Sequence, residues 1–184
     1  MSKRVTPVRH HPGNKTGITK QPTLKAKAYA SILRPQLEYC STVWDPRKGV
    51  ENSGSYNLEM VQRRAARWAL GRYQQPASVT EMLNELNWRT LAQRRVDARL
   101  TMLCKITNNL VEVNPGDNLR SPTRRSRNVH VHSFIPISTS TTSHRLSFYP
   151  RTIVQWNSLP PDVFTLSADP AQFRINVSKI THQL

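Results

Sequence analysis

Acidic residues are scarce in this sequence and unevenly placed. The 184 residues include 11 Asp plus Glu against 27 Lys plus Arg, which gives a formal net charge of +16. No acidic residue precedes Glu38, and none lies between Asp117 and Asp162, so two long segments carry only cations. Self-repulsion of this size is usually relieved by a polyanion, and the charge balance therefore favours nucleic acid as a partner.

Cysteines and long apolar runs are also scarce. Cys40 and Cys104 lie in separate helical patterns, so we expect two reduced thiols in the core instead of a disulfide or a metal site. No run approaches the roughly eighteen apolar residues that a membrane span needs, and the N-terminus lacks the apolar stretch of a signal peptide. We therefore expect an intracellular protein, in the nucleus or the cytoplasm, with no membrane partner.

The hydrophobic pattern divides the chain into four parts. Residues 1–22 have no periodicity and are predicted to form a disordered basic arm. Residues 23–112 have helical periodicity and predict a small bundle. Residues 113–147 predict an extended basic arm or hairpin with short strands at 129–131 and 134–137. Residues 148–184 predict a return to the core that ends in a helix over about 169–180, so the predicted fold class is mainly α.

Four helical segments are predicted within the bundle. The first is a helix pair over 23–44, which Pro35 kinks or divides. The second covers about 55–73 and ends near Gly71, and the third covers about 78–86, with Ser78 and Glu81 at the spacing of a capping box. The fourth covers about 90–110 and places Arg99 inside its apolar face, where we expect it to extend its charged end to solvent or to pair with a carboxylate such as Glu81 or Glu85.

The second helix is apolar on one face and cationic on the other. The predicted apolar face contains Leu58, Val61, Ala65, Trp68 and Ala69. Arg63, Arg64 and Arg67 project from the opposite face, and the planar fork of arginine matches phosphate oxygens in pairs. The alternative is a solvated arginine-rich face that binds nothing.

The predicted nucleic-acid-binding residues extend beyond this helix. They are Arg63, Arg64, Arg67, Arg72, Arg94, Lys105, Arg120, Arg124, Arg125 and Arg127. We expect them to contact the backbone of a duplex or an RNA/DNA hybrid without reading its sequence. The four tryptophans lie in phase with apolar neighbours, so we expect them to pack in the core instead of stacking on bases.

The sequence offers no clear catalytic, metal or cofactor site. His130 and His132 share one face of a possible strand, but neither a Cys-x-x-Cys pair nor a carboxylate accompanies them, so we expect them to contact solvent or phosphate. Neither cysteine is flanked by glycine or linked to a histidine in the way that a catalytic nucleophile would be.

Three blocks of the sequence together resemble a known family. They are Ala28-Tyr-Ala-Ser-Ile-Leu-Arg-Pro-Gln-Leu-Glu-Tyr-Cys-Ser-Thr-Val-Trp-Asp45, Leu58-Glu-Met-Val-Gln-Arg-Arg-Ala-Ala-Arg67 and Phe148-Tyr-Pro-Arg-Thr-Ile-Val-Gln-Trp-Asn-Ser-Leu-Pro160. In this order they resemble the segment that follows the fingers and palm in reverse transcriptases of non-LTR retrotransposons, of the jockey-like LINE type. The resemblance covers about 23–182 and implies the thumb and C-terminal region, which grips the template and its growing strand.

The catalytic half of such a polymerase is missing from this sequence. Polymerisation requires carboxylates that hold two metal ions, usually in a Tyr-x-Asp-Asp turn, whereas the five aspartates here are scattered and no two are adjacent. Residues 1–22 do not match what precedes the thumb in the family. We therefore expect a mobile-element fragment, related to an RNA-directed DNA polymerase, that is not an enzyme by itself.

Two further readings of the sequence remain. The resemblance implies that a separate palm would pack on the bundle, and the apolar face of the first helix pair, at Ile32, Leu33 and Leu37, is open to such a palm or to a second copy. A structural or protein-binding remnant without nucleic-acid function is therefore the main alternative. A helix-turn-helix regulator is disfavoured, because no recognition helix carries base-reading side chains at the required spacing.

Overall fold

The described part of the chain is mainly helical. A computed structural model describes residues 20–45, 54–74, 77–123, 130–165 and 169–181. The helices are α1 (Lys20–Ala28), α2 (Arg34–Glu38), α3 (Ser41–Trp44), α4 (Gly54–Leu70), α5 (Val79–Glu85), α6 (Leu91–Thr107), α7 (Thr142–Arg145), α8 (Phe148–Asn157), α9 (Asp162–Thr165) and α10 (Pro170–Thr181). The prediction of a mainly α fold is confirmed. Helix α1 begins at Lys20, inside the segment predicted to be disordered, and residues 1–19 lie outside the described residues.

A π-helical turn, Tyr29–Leu33, joins α1 to α2 and accommodates Pro35. The N–H of Arg34 donates to the carbonyl oxygen of Tyr29, five residues earlier. Proline has no N–H and crowds the carbonyl four residues before it, and the wider turn removes that conflict. The helical path therefore continues past Pro35 to Glu38.

Helix α6 lies at the centre of the fold. Thr90 and Gln93 form a capping box at its N-terminus, and its buried side chains include Leu100, Leu103 and Cys104. These side chains pack with Trp156 of α8 and with Phe173 and Val177 of α10 in one hydrophobic cluster. Helices α3 and α4 also pack against α6, so four described helices, α3, α4, α8 and α10, are in contact with this single element.

Two polar side chains of α4 bind the start of α6. The Gln62 amide donates to the carbonyl oxygen of Arg89 at 2.9 Å and accepts from the N–H of Leu91 at 3.1 Å. The Glu59 carboxylate accepts from the N–H of Ala92 at 2.7 Å. These acceptors satisfy N–H groups that have no partner inside α6, and a carboxylate there also interacts favourably with the helix dipole.

A buried ion cluster is centred on Asp45. Its carboxylate accepts from Arg95 Nε at 2.8 Å, forms an ion pair with Arg99, and lies 3.2 Å from Arg151 Nη1. Arg95 and Arg99 are each only 1% exposed. Burial, with a smaller contribution from the Arg151 charge, lowers the pKa of Arg99 to about 9, so this arginine still carries its charge at neutral pH.

This cluster corrects the expected partner of Arg99. Glu81 and Glu85 were the expected carboxylates, but Asp45 occupies that position, and Arg99 Nη2 also donates to Gln155 Oε1 at 2.9 Å. Asp45 follows α3, and its arginines belong to α6 and α8. The cluster therefore joins the first helices to the C-terminal part of the chain.

The predicted short strands are absent from the described residues. Phe134 exchanges two hydrogen bonds with the side chain of Asn157 on α8, at 3.0 and 2.7 Å, where a strand would use a neighbouring backbone. The N–H of Ile135 donates to the carbonyl oxygen of Arg120 at 2.8 Å, but Pro136 has no N–H with which to continue a ladder. The segment is therefore an extended connection tied to α8. Of the 129–131 run, only residue 129 lies outside the described residues, and Val131 lies in a turn instead of a strand.

The first helices leave apolar side chains in contact with solvent. Ile32 is 60% exposed and Leu33 is also exposed, as the sequence predicted for this face, whereas Leu37 is half-buried. Leu24, Tyr39 and Val43 extend the exposed apolar surface along the same part of the chain. Among the described residues, no helix has both the length and the apolar character to cross a membrane.

Replacing Asp45 with asparagine is expected to destabilise the fold strongly. The change keeps the shape of the side chain but leaves three buried guanidinium groups without their shared counter-charge. We expect a loss of about 3–5 kcal/mol in the free energy of unfolding, measured by urea denaturation. The control is Asp117→Asn, which breaks an exposed ion pair with Arg120 and should leave the transition unchanged. Equal stabilities for the two variants would show that the cluster does not hold the fold.

Candidate nucleic-acid interface

The buried face of α4 is rotated from its predicted position. The buried residues are Ser55, Gln62, Ala65, Ala66 and Ala69. At about 100° per residue, this face is shifted by about 60° from the predicted one, toward Gln62 and Ala66. Val61 and Trp68, which were predicted to be apolar-face residues, are 37% and 40% exposed. The shift occurs because Gln62 is used in the core as the hydrogen-bonding partner of α6.

The three arginines of α4 still face away from the core. Arg63 and Arg64 are exposed, and Arg67 is half-buried. None of them forms an ion pair with any carboxylate that the structure describes. Glu59, one helical turn before Arg63, is instead engaged by the N-terminus of α6. This face of α4 therefore presents guanidinium groups without an internal counter-charge.

Lys25 and Trp68 add an aromatic edge to the α4 face. The Lys25 ammonium lies 5.4 Å from the centroid of the Trp68 ring and donates to the Trp68 carbonyl oxygen at 3.3 Å. The first contact is a cation–π interaction, and the second places a cation near the end of α4 where the helix dipole is negative. The sequence analysis missed this pair because it assigned Trp68 to the core.

The four tryptophans do not share one role. Trp156 is buried in the core, as predicted. Trp44 and Trp68 are exposed, so the prediction that they pack in the core was wrong. Trp88 is half-buried and stacks on Tyr29, with the ring centroids 4.4 Å apart.

Two of the predicted binding arginines are engaged in ion pairs. Arg94 donates from Nε and Nη2 to the Glu38 carboxylate, and both side chains are largely buried. Hydrogen bonding to Glu38 raises the pKa of Arg94, so this guanidinium is charged and paired within the protein. Arg72 pairs with Glu85 at 2.7 Å, but both side chains are about half exposed, so this pair is open to competition by phosphate.

The remaining predicted cations are less informative. Lys105 is exposed on α6 and has no ion pair with a described residue. Arg120 pairs at 2.9 Å with Asp117, and both are exposed. No contact in the described structure links Lys105 or Arg120 to the arginines of α4. Arg124, Arg125 and Arg127 lie outside the described residues.

His130 and His132 pack against an aromatic ring. Their rings stack on Phe164, with centroid distances of 4.6 and 5.0 Å. Burial lowers the pKa of His130, which favours its neutral form. Both histidines were expected to contact solvent or phosphate; His130 is half-buried instead, whereas His132 is exposed. The described residues contain no group of three or more His, Cys, Asp or Glu side chains placed to hold a metal ion.

Comparisons with known proteins do not identify a relative. The chain matches no protein-family model, no curated protein and no solved structure at a significant level. The candidate interface is therefore defined by its own geometry.

The structure predicts opposite consequences for two of the arginines. Arg94→Gln removes a largely buried charge pair and should lower the free energy of unfolding by about 1–3 kcal/mol. Arg64→Gln changes only an exposed, unpaired side chain and should leave stability unchanged. Thermal unfolding of the two variants tests this difference. A destabilised Arg64→Gln variant would mean that Arg64 has a structural partner.

Proposed function

We propose that this protein binds the sugar–phosphate backbone of a duplex or RNA/DNA hybrid through the exposed face of α4. The observation that carries the proposal is that Arg63, Arg64 and Arg67 have no counter-charge among the described residues, whereas arginines of α6 do. Guanidinium groups bind phosphate oxygens in pairs, and contacts of this kind position a strand without reading its sequence.

The placement of the carboxylates supports this proposal. Glu38, Asp45 and Asp97 are each paired with an arginine inside the fold. These carboxylates therefore neutralise arginines inside the fold, and a large net positive charge remains for the surface. A polyanion is the partner that this excess favours, because binding it relieves repulsion and releases counterions.

The resemblance places this binding activity in a larger context. The chain is similar to the thumb and C-terminal region of a non-LTR retrotransposon reverse transcriptase, and we propose that it is a fragment of such an RNA-directed DNA polymerase without the catalytic palm. A gripping module of this kind requires no metal or cofactor of its own. Its described residues would hold the template–primer while another chain performed polymerisation.

The salt dependence of binding tests the proposed function. If about six to eight phosphates are neutralised, the logarithm of the affinity should fall with the logarithm of salt concentration, with a slope of roughly five to seven. Replacing Arg63, Arg64 and Arg67 with glutamine should reduce this slope by about two to three, since each contact contributes about 0.9. Fluorescence anisotropy with a mixed-sequence duplex and a hybrid measures the slope.

The matched control keeps the number of removed cations constant. Arg145, Arg174 and Lys179 are exposed on α7 and α10, away from α4. Their combined replacement with glutamine should reduce the slope less than the α4 replacement does. Equal effects would indicate unspecific charge attraction, and a wild-type slope near zero would refute backbone binding.

A second candidate function is protein binding by the first helices. Ile32, Leu33 and Val43 are exposed, and apolar side chains grouped on one surface are typical of contact sites. This candidate predicts an association that resists salt. Ile32→Glu should abolish it, as measured by analytical ultracentrifugation at low and high salt. A wild-type chain that remains monomeric under both conditions, with no salt-resistant partner, would exclude this alternative.

A further inference from the structure

A cavity of about 390 Å³ lies between α4, α5 and the turn that leads into α6. Its lining includes Arg63, Val79, Thr80, Leu83, Asn84 and Trp88. Arg63 is thus both a member of the proposed phosphate-binding face and a wall of this cavity. We refer to it below as the α4–α5 pocket.

The walls of the α4–α5 pocket combine apolar and polar side chains, which suits a flat ring that carries polar groups at its edge. Val79 and Leu83 contribute aliphatic surface, and Trp88 contributes an indole. This indole stacks on the ring of Tyr29, with the ring centroids 4.4 Å apart and an interplanar angle of 28°. Tyr29 is fully buried, and burial raises its pKa to about 12, so it provides a neutral and fixed support.

The polar groups of the pocket are divided between engaged and available ones. Gln93 is held in the capping box of α6, and Glu59 accepts from the start of the same helix. The side chains of Thr80 and Asn84 are exposed, and neither side chain has a hydrogen bond to another described residue. Arg89, which also borders the cavity, has a buried Nε without a hydrogen-bond partner. The Arg89 Nε is not exposed to the cavity, so the available groups are the neutral hydroxyl of Thr80 and the neutral amide of Asn84.

We infer that the α4–α5 pocket receives one unpaired nucleobase of the strand whose phosphates contact Arg63. A base has a flat apolar face for the indole and leucine walls, and edge groups that hydrogen-bond to an amide and a hydroxyl. Its own phosphate would remain at Arg63, at the border of the pocket. This inference rests on the proposed function and extends it, because it names a strand with at least one unpaired base as the preferred ligand.

The first experiment compares two probes on the wild-type chain. One is a blunt duplex, and the other is the same duplex with a short single-stranded extension that carries 2-aminopurine as its first unpaired base. We expect the extended duplex to bind about tenfold more tightly, because stacking of one base on an aromatic side chain contributes in this range. Stacking on Trp88 should also quench the 2-aminopurine fluorescence.

Two variants test whether the pocket causes the difference. Leu83→Trp fills the cavity and should remove both the tenfold preference and the quenching, while the affinity for the blunt duplex stays unchanged. Asn84→Ala changes an exposed residue and should therefore fold even if Leu83→Trp does not. It should reduce the preference for the extended duplex severalfold. Gln36→Ala removes an exposed amide on α2 and is the matched control, which should retain the preference.

The outcomes separate this inference from the proposed function. Salt-dependent binding of the blunt duplex with no preference for the extended one would overturn the pocket inference alone. Salt-insensitive or absent binding of both probes would overturn the proposed function as well. A preference that survives both Leu83→Trp and Asn84→Ala would place the unpaired base elsewhere on the surface and would also refute the inference.

Discussion

The fold depends on one buried carboxylate that is shared by three arginines. Asp45 draws Arg95 and Arg99 of α6 and Arg151 of α8 to the end of α3, where apolar packing alone would not select one arrangement. A buried ion pair contributes little net stability compared with well-packed apolar side chains, but it is costly to break. We interpret the cluster as the element that fixes how the N-terminal helices sit on the C-terminal ones.

This use of the carboxylates explains how the surface charge arises. The chain has few acidic residues, and several of them bind groups of α6. Glu38 pairs with Arg94, and Asp45 pairs with Arg95 and Arg99. Glu59 accepts from the N-terminal N–H groups of this helix. The one carboxylate of α4, Glu59, is used in this way, and the arginines of α4 have no ion pair among the described residues. The cationic face of α4 is therefore a consequence of the way α6 is packed.

Local signals could be predicted from the sequence, and distant pairings could not. The Ser78 cap of α5 and the left-handed Gly71 after α4 depend on a few neighbouring residues, and the helix ends agree with them. The ion pair of Arg94 joins residues 56 positions apart, and nothing near Arg94 distinguishes it from Arg64. The buried face of α4 was misplaced for the same reason, since Gln62 is buried only because Arg89 and Leu91 require its amide.

The same contacts that bury Gln62 also fix the geometry of the candidate site. Gln62 and Glu59 hold the turn at Arg89 and the start of α6, which form part of the wall of the α4–α5 pocket, and Arg63 follows Gln62 directly on α4. The proposed phosphate-binding face and the pocket therefore belong to one hydrogen-bonded unit. A ligand that contacts both the α4 face and the pocket would bind a surface that is already ordered. Binding to such a preorganised surface costs less conformational entropy.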